Sequence, residues 1–237
     1  MNLEFLGKKL RHEQKYYIHP YEYVTLRQRL AAMLPLDGNS DDNDGYNISS
    51  LYFDSPKDHS LYDKVNGIFG RQKFRIRIYN GGDQTIKLER KSKYGDYVSK
   101  ESVQLNRVDY DRILNRDISF LLEYNHPLIK DFHRALQGGY QPAVIVDYVR
   151  EAYVYELGDV RITFDKMLSA GINTHDLFDP NLALTEALDS TKTIMEIKYN
   201  DFLPEAIRLI VRPETHNRSS ISKYVICREV GFRHFRP

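Results

Sequence analysis

Residues 71–79 read RQKFRIRIY, and this alternation constrains the fold more than any other stretch of the chain. Arg71, Lys73, Arg75 and Arg77 take turns with Gln72, Phe74, Ile76 and Ile78. Successive side chains of a β-strand point to opposite faces. A strand here carries four cations on one face and a mostly apolar opposite face. The cationic face must meet either water or an anion.

The same period of two runs through the other candidate strands. RHEQKYYI (11–18) sets Arg11, Glu13 and Lys15 on one face, and QTIKLERK (84–91) sets Lys87, Glu89 and Lys91 opposite Ile86 and Leu88. In VRITFD (160–165), Arg161, Thr163 and Asp165 oppose Val160, Ile162 and Phe164. In TIMEIKY (193–199), Glu196 and Lys198 oppose Met195, Ile197 and Tyr199. NISSLYFDS (47–55), YVSKESVQL (97–105) and PAVIVDYVREAYVYE (142–156) complete the set, with Arg150 on the face of Tyr148. NGGD at 80–83 joins RQKFRIRIY to the following strand as a hairpin.

Helical spacing marks 20–34, with Tyr23, Leu26, Leu30 and Met33 on one face. A second helix is expected over 55–67, with Ser55 as N-cap, Pro56 at the first helical position and Gly67 past the end. Others are expected over 108–115, 126–139, 204–212 and 219–229. Strands outnumber helices, which points to an antiparallel α+β fold rather than repeated parallel βαβ units.

A half-exposed sheet turns its ionic face to water. Here, however, Arg and Lys are dense, and like charges on neighbouring strands destabilise a sheet unless something neutralises them. Closure into a barrel makes the ionic face the lumen. We therefore expect a single domain over 1–237: an antiparallel closed β-barrel with a basic lumen and helices packed on the outside. Such a lumen calls for a polyanion. Arg grips phosphate through its planar fork and Lys acts as a point charge. Carboxylates among those cations make sense as ligands of a divalent metal bridging the phosphates, and an all-oxygen set favours magnesium or manganese over zinc.

Net charge is only +1, so the positive field is local and the chain is no basic coat for nucleic acid. The 18 Tyr and 11 Phe could stack on bases, but Phe53, Phe74 and Phe164 fall on apolar faces, and no nucleic acid is expected. The single cysteine, Cys227, excludes an intrachain disulfide and reads as a small buried residue. No run is long and apolar enough to span a bilayer, and the first residues lack a signal-peptide core, so a cytoplasmic protein without a membrane segment is expected. The acidic run 36–47 reads as a surface loop and lacks the closing Glu of a calcium loop. No P-loop, HExxH or Ser-His-Asp pattern is present.

RHEQKYYIHP, SLYFDS, RIRIY, LERKSK, VREAYV, RITFD, MEIKY and SKYVICRE, in that order, resemble the catalytic domain of the vacuolar transporter chaperone (VTC) family. That domain is a polyphosphate polymerase of the triphosphate tunnel metalloenzyme superfamily, and the resemblance spans about residues 9–230. It implies transfer of the terminal phosphate of ATP onto a polyphosphate chain inside a tunnel, assisted by a divalent cation, Mn2+ or Mg2+. By matching motifs, Arg75, Arg77, Lys91, Arg150, Arg161 and Lys223 look like catalytic residues. Arg11, Lys15, Lys87, Lys100 and Lys198 look like further phosphate-binding groups, and Glu196, with Glu13 or Glu89, like metal ligands. The wider superfamily opens with Glu-x-Glu-x-Lys; here Arg11 takes the first Glu position, which fits the polymerase branch better than the triphosphatase branch. Eukaryotic members also carry an inositol-phosphate-sensing domain and membrane helices; neither falls within these 237 residues, so the resemblance carries neither inositol-phosphate regulation nor membrane transport over to this sequence. Two alternatives share the tunnel: a triphosphatase or polyphosphatase using water as acceptor, and a non-catalytic polyphosphate-binding module.

Overall fold

The computed structural model describes residues 4–5, 7–38, 45–212 and 219–234. Half of the acidic run 36–47, at 39–44, lies outside them. In chain order the elements are β1 (Glu4–Phe5), β2 (Lys8–Lys9), β3 (Arg11–Ile18), α1 (Pro20–Ala31), β4 (Tyr46–Asp54), α2 (His59–Val65), β5 (Arg71–Tyr79), β6 (Gly82–Tyr94) and β7 (Tyr97–Leu105). There follow α3 (Arg107–Leu114), α4 (Pro127–Gln137), β8 (Gln141–Tyr155), β9 (Val160–Gly171), β10 (Leu184–Glu186), β11 (Thr193–Tyr199), α5 (Glu205–Ile210) and α6 (Lys223–His234).

Eight strands pair in the order β9-β11-β3-β7-β6-β5-β4-β8, all antiparallel, and β8 pairs back onto β9, so the sheet closes into a barrel. β10 adds a short ladder to the end of β9 at Ser169–Gly171. The expected β5–β6 hairpin is present, its loop shortened to two residues, Asn80 at φ 50° and Gly81 at φ 65°, the positive values that a turn matching strand twist requires.

The apolar faces point outward and are covered by helices. Phe74, Ile76 and Ile78 of β5 pack with Ile86 and Leu88 of β6 against Tyr110 of α3 and Phe132 of α4. Leu26 and Leu30 of α1 and Ile207 of α5 cover Ile162 and Phe164 of β9 and Met195 of β11. α6 closes the third side, setting Tyr224 and the buried Cys227 against Val146 and Tyr148 of β8. Two of the three apolar clusters thus lie between barrel wall and helices, whereas the third includes Tyr52, Tyr148 and Tyr224, which face the inside of the barrel beside its charged side chains.

Several boundaries differ from expectation. α1 ends at Ala31, which leaves Met33 59% exposed instead of on the buried face. α2 starts at His59, not at Pro56, because Asp54 reaches forward and accepts from the backbone amides of Ser60 and Leu61, while Ser55 Oγ accepts from His59 N. The last helix starts at Lys223 rather than Ser219, and the strand seen as VRITFD runs on to Gly171.

Candidate functional site

The inward faces enclose a cavity of roughly 700 Å3 whose wall draws side chains from all eight barrel strands and from α6. β5 alone contributes Arg71, Lys73, Arg75 and Arg77, as the alternation requires. Arg11, Glu13 and Lys15 come from β3, Lys91 and Lys93 from β6, Lys100 from β7, Tyr148 and Arg150 from β8, Arg161 from β9, Glu196 and Lys198 from β11, and Lys223 from α6. Cations outnumber carboxylates along this wall.

Strand register decides which cation meets which carboxylate. Arg75 lies opposite Glu89 across the β5–β6 ladder and binds it through Nε at 2.8 Å and Nη2 at 2.6 Å, while its Nη1 donates to Tyr52 Oη at 2.7 Å. Lys100 reaches the other Glu89 oxygen at 3.1 Å from β7. Burial pushes the Glu89 carboxyl up, but Arg75, Arg77 and Lys100 outweigh it and hold the group well below the usual carboxylate range. Arg77 is anchored by neutral groups: Nε donates to Ser50 Oγ at 3.1 Å and Nη2 to Tyr148 Oη at 3.0 Å, with Glu89 no closer than 3.9 Å. Arg150 grips Asp165 with two bonds, 2.7 and 2.8 Å, and Lys223 pairs with the same carboxylate.

Glu13 and Glu196 form the second centre. Lys15 stands 3.5 Å from each, and Lys198 pairs with both. Lys91 binds Glu13 at 2.6 and 2.9 Å. Burial and the Glu196 charge push the Glu13 carboxyl up, yet Lys15, Lys91 and Lys198 hold it down at about 2. Both carboxylates are therefore ionised at neutral pH. Glu196 Oε1 is buried and makes no hydrogen bond of good geometry. Among the described residues no three His, Cys, Asp or Glu side chains gather as a metal cage. The pair nevertheless fits a small hard cation, because magnesium and manganese sites often take one or two carboxylates and complete their shell with water and substrate phosphate.

Fourteen site residues were expected from sequence, and two of them stand apart from the cavity wall. Glu89 lies beneath it, fully buried, as the counter-ion of Arg75 and Lys100 rather than as an open metal ligand. Lys87 shares the inward parity but sits over the Tyr79 ring, 5.8 Å from its centroid, outside the cavity. At the mouth, Arg161 donates to Tyr46 Oη at 2.8 Å and pairs with Asp37, and Arg11 pairs with Asp159 at 3.4 Å. Tyr52 of β4 lines the cavity, whereas Asp54 on the same strand accepts from the backbone of α2 and from the Tyr224 hydroxyl. Sequence reading missed Lys64, Lys93 and Ser222. Lys93 follows Lys91 on the same face, so extending the alternation by one step would have found it.

A profile described as the VTC domain matches residues 10–232. No curated protein matches the sequence. Similar solved structures include a Pyrococcus horikoshii OT3 protein with 16% identity, covering 84% of this chain and 82% of that chain at a TM-score of 0.43. Another is a proposed adenylate cyclase of Bacillus halodurans, with 13% identity over 81% of this chain and 82% of that chain, TM-score 0.47. A further Pyrococcus horikoshii OT3 protein has 10% identity over 92% and 98% of the respective chains, TM-score 0.49.

Proposed function

The chain belongs to the VTC domain family, and from that premise we propose that it is a phosphotransferase that moves the terminal phosphate of ATP onto a polyphosphate chain held inside the barrel. One observation carries this reading: guanidinium and ammonium groups from β3, β5, β6, β8, β9 and α6 converge on one cavity large enough for several linked phosphates. Phosphoryl transfer asks a protein mainly for positioning and for charge placed where charge develops. Arg77, held by Ser50 and Tyr148 without a close carboxylate, has its charge available for phosphate oxygens. Arg75, Arg150 and Lys223 are fixed in place by Glu89 and Asp165 and present their remaining donors to the guest. Lys15, Lys91 and Lys198 pair with Glu13 and Glu196, and their ammonium groups would be available to phosphate oxygens where a divalent cation neutralised those carboxylates. Glu13 and Glu196 are the residues that would hold such a cation, which would supply neutralisation of charge on the phosphate oxygens. No protein nucleophile is required, since the attacking oxygen belongs to the acceptor chain.

Incubation of the pure protein with ATP and manganese tests the assignment. Growth of long phosphate polymers supports it. Release of free phosphate alone assigns the same cavity to a hydrolase, and retained polyphosphate binding without turnover assigns it to a binding module.

A further inference from the structure

A second cavity, of roughly 660 Å3, adjoins the first and differs from it in chemistry. His12 and Gln14 of β3 and Tyr199 of β11 line it, and they alternate along their strands with Arg11, Glu13 and Lys198, which line the first cavity. The second cavity therefore lies on the outer side of the barrel wall. That wall ends at the exposed β6–β7 turn, Gly95 and Asp96, which borders both cavities. Aromatic rings dominate the outer cavity. His12 stacks on Tyr199, with 4.7 Å between centroids and 14° between planes, and lies 4.7 Å from the Tyr97 ring. Phe5, Phe69 and Tyr94 form a second group, with centroids 5.0, 5.7 and 6.3 Å apart. Phe69 is 66% exposed, which leaves ring surface open to a guest. Among the described residues no Lys or Arg lines this cavity, and Glu4 and Asp96 are its carboxylates.

We propose that this outer cavity is a nucleobase subsite, which holds the adenine ring of ATP while the triphosphate lies inside the barrel. This rests on the ATP reading above and deepens it by giving the nucleoside a place of its own. Charge separates the two cavities: carboxylates without cations repel phosphate, whereas they accept from an exocyclic amine such as that of adenine. The aromatic lining supplies stacking surface, and a concave, mostly apolar site with a few polar groups is what a flat heterocycle requires. The two parts of one nucleotide can reach both cavities. Arg11, at the start of β3, stands two residues, roughly 7 Å, from Glu13. A triphosphate that begins beside the Glu13–Glu196 pair therefore brings its ribose to the rim, and the base folds over Gly95 and Asp96 onto the rings outside.

The test is calorimetric titration of the full chain, without divalent cation so that no turnover intervenes, for wild type, Phe69→Ala and Phe69→Tyr. The ligands are ATP, ribose 5-triphosphate, which lacks the base, and tripolyphosphate. Wild type is expected to bind ATP about tenfold more tightly than ribose 5-triphosphate, equal to about 1.4 kcal/mol and within the range of one base–aromatic stack. Phe69→Ala is expected to lose most of that preference while binding tripolyphosphate within about twofold of wild type, which also shows that the variant is folded. Phe69→Tyr keeps the ring and is expected to keep the preference. Equal weakening of all three ligands in Phe69→Ala overturns the inference, as does an unchanged preference for ATP. Wild type that binds ATP and ribose 5-triphosphate equally well overturns this inference alone and leaves the rings as packing for β1, whereas wild type that binds none of the three overturns the proposed function as well.

Discussion

Arg75 and Lys73 sit two residues apart on one strand and face one cavity, yet their surroundings are opposite. Arg75 lies across from Glu89 and is locked to it; Lys73 lies across from Lys91 and is locked to nothing charged. The alternation that places both side chains inward is identical, so the difference comes from the neighbouring strand. Where a carboxylate falls opposite, the cation is pre-positioned and already neutralised. Where another cation falls opposite, the site stays short of negative charge until a guest supplies it. The centre of the cavity is built for position, and the α2–α6 side for attraction.

The largest expected effect breaks the centre without breaking the fold. Arg77→Ala removes a guanidinium held only by Ser50 and Tyr148. Turnover of ATP should fall about a hundredfold to a thousandfold, with the urea midpoint nearly unchanged; turnover at the wild-type rate contradicts the site. Arg75→Ala is a poorer probe, because it leaves the fully buried Glu89 with only Lys100 and the more distant Arg77.

Asp165→Asn sharpens the other half of the comparison. It takes the carboxylate from both Arg150 and Lys223. Breaking a buried pair in this way costs about 3–5 kcal/mol, to be read from urea unfolding, and added tripolyphosphate should recover part of the loss. A variant as stable as wild type would show that these cations need no internal counter-ion.

Glu196→Gln tests the cation site. Activation by manganese should require a concentration about tenfold higher or disappear with activity, since a ligand of this kind typically contributes at least that much to affinity. An unchanged manganese titration removes Glu196 from the site.

The smallest effect lies where cation faces cation on the β5–β6 ladder. Burial, with Lys91 and Lys15 adding to it and Glu13 and Asp96 opposing, lowers the Lys93 ammonium from 10.5 to about 8. Between those values the unfolded chain binds more protons at this residue than the folded one, so its penalty is fully present below about 8 and fades as pH rises towards 10.5. Lys93→Met should therefore melt slightly above wild type at pH 7, with the gap closing by pH 10 in scanning calorimetry. A gap that widens with pH reverses the sign of this account.

The strands were legible because each keeps its period of two: the segments 11–18, 71–79, 97–105 and 193–199 coincide with β3, β5, β7 and β11. The inward direction of the ionic faces was legible from charge density. What sequence alone left out is register. Glu89 reads as a metal ligand along β6 and becomes a counter-ion only when Arg75 is set opposite it. Lys87 has the right parity, but the cavity does not reach that far along β6. Lys64 sits on a helix, where strand parity says nothing about which way it points. β1, β2 and β10, of two or three residues each, are too short to show any period.

Diffraction from crystals soaked in tripolyphosphate tests the central claim most directly. The account predicts three linked phosphates inside the barrel, contacted by Arg77 together with Arg75, Arg150 or Lys223. Phosphate density confined to the outer surface, with Arg77 still held only within its wall and Arg75, Arg150 and Lys223 still closed on Glu89 and Asp165, would contradict it.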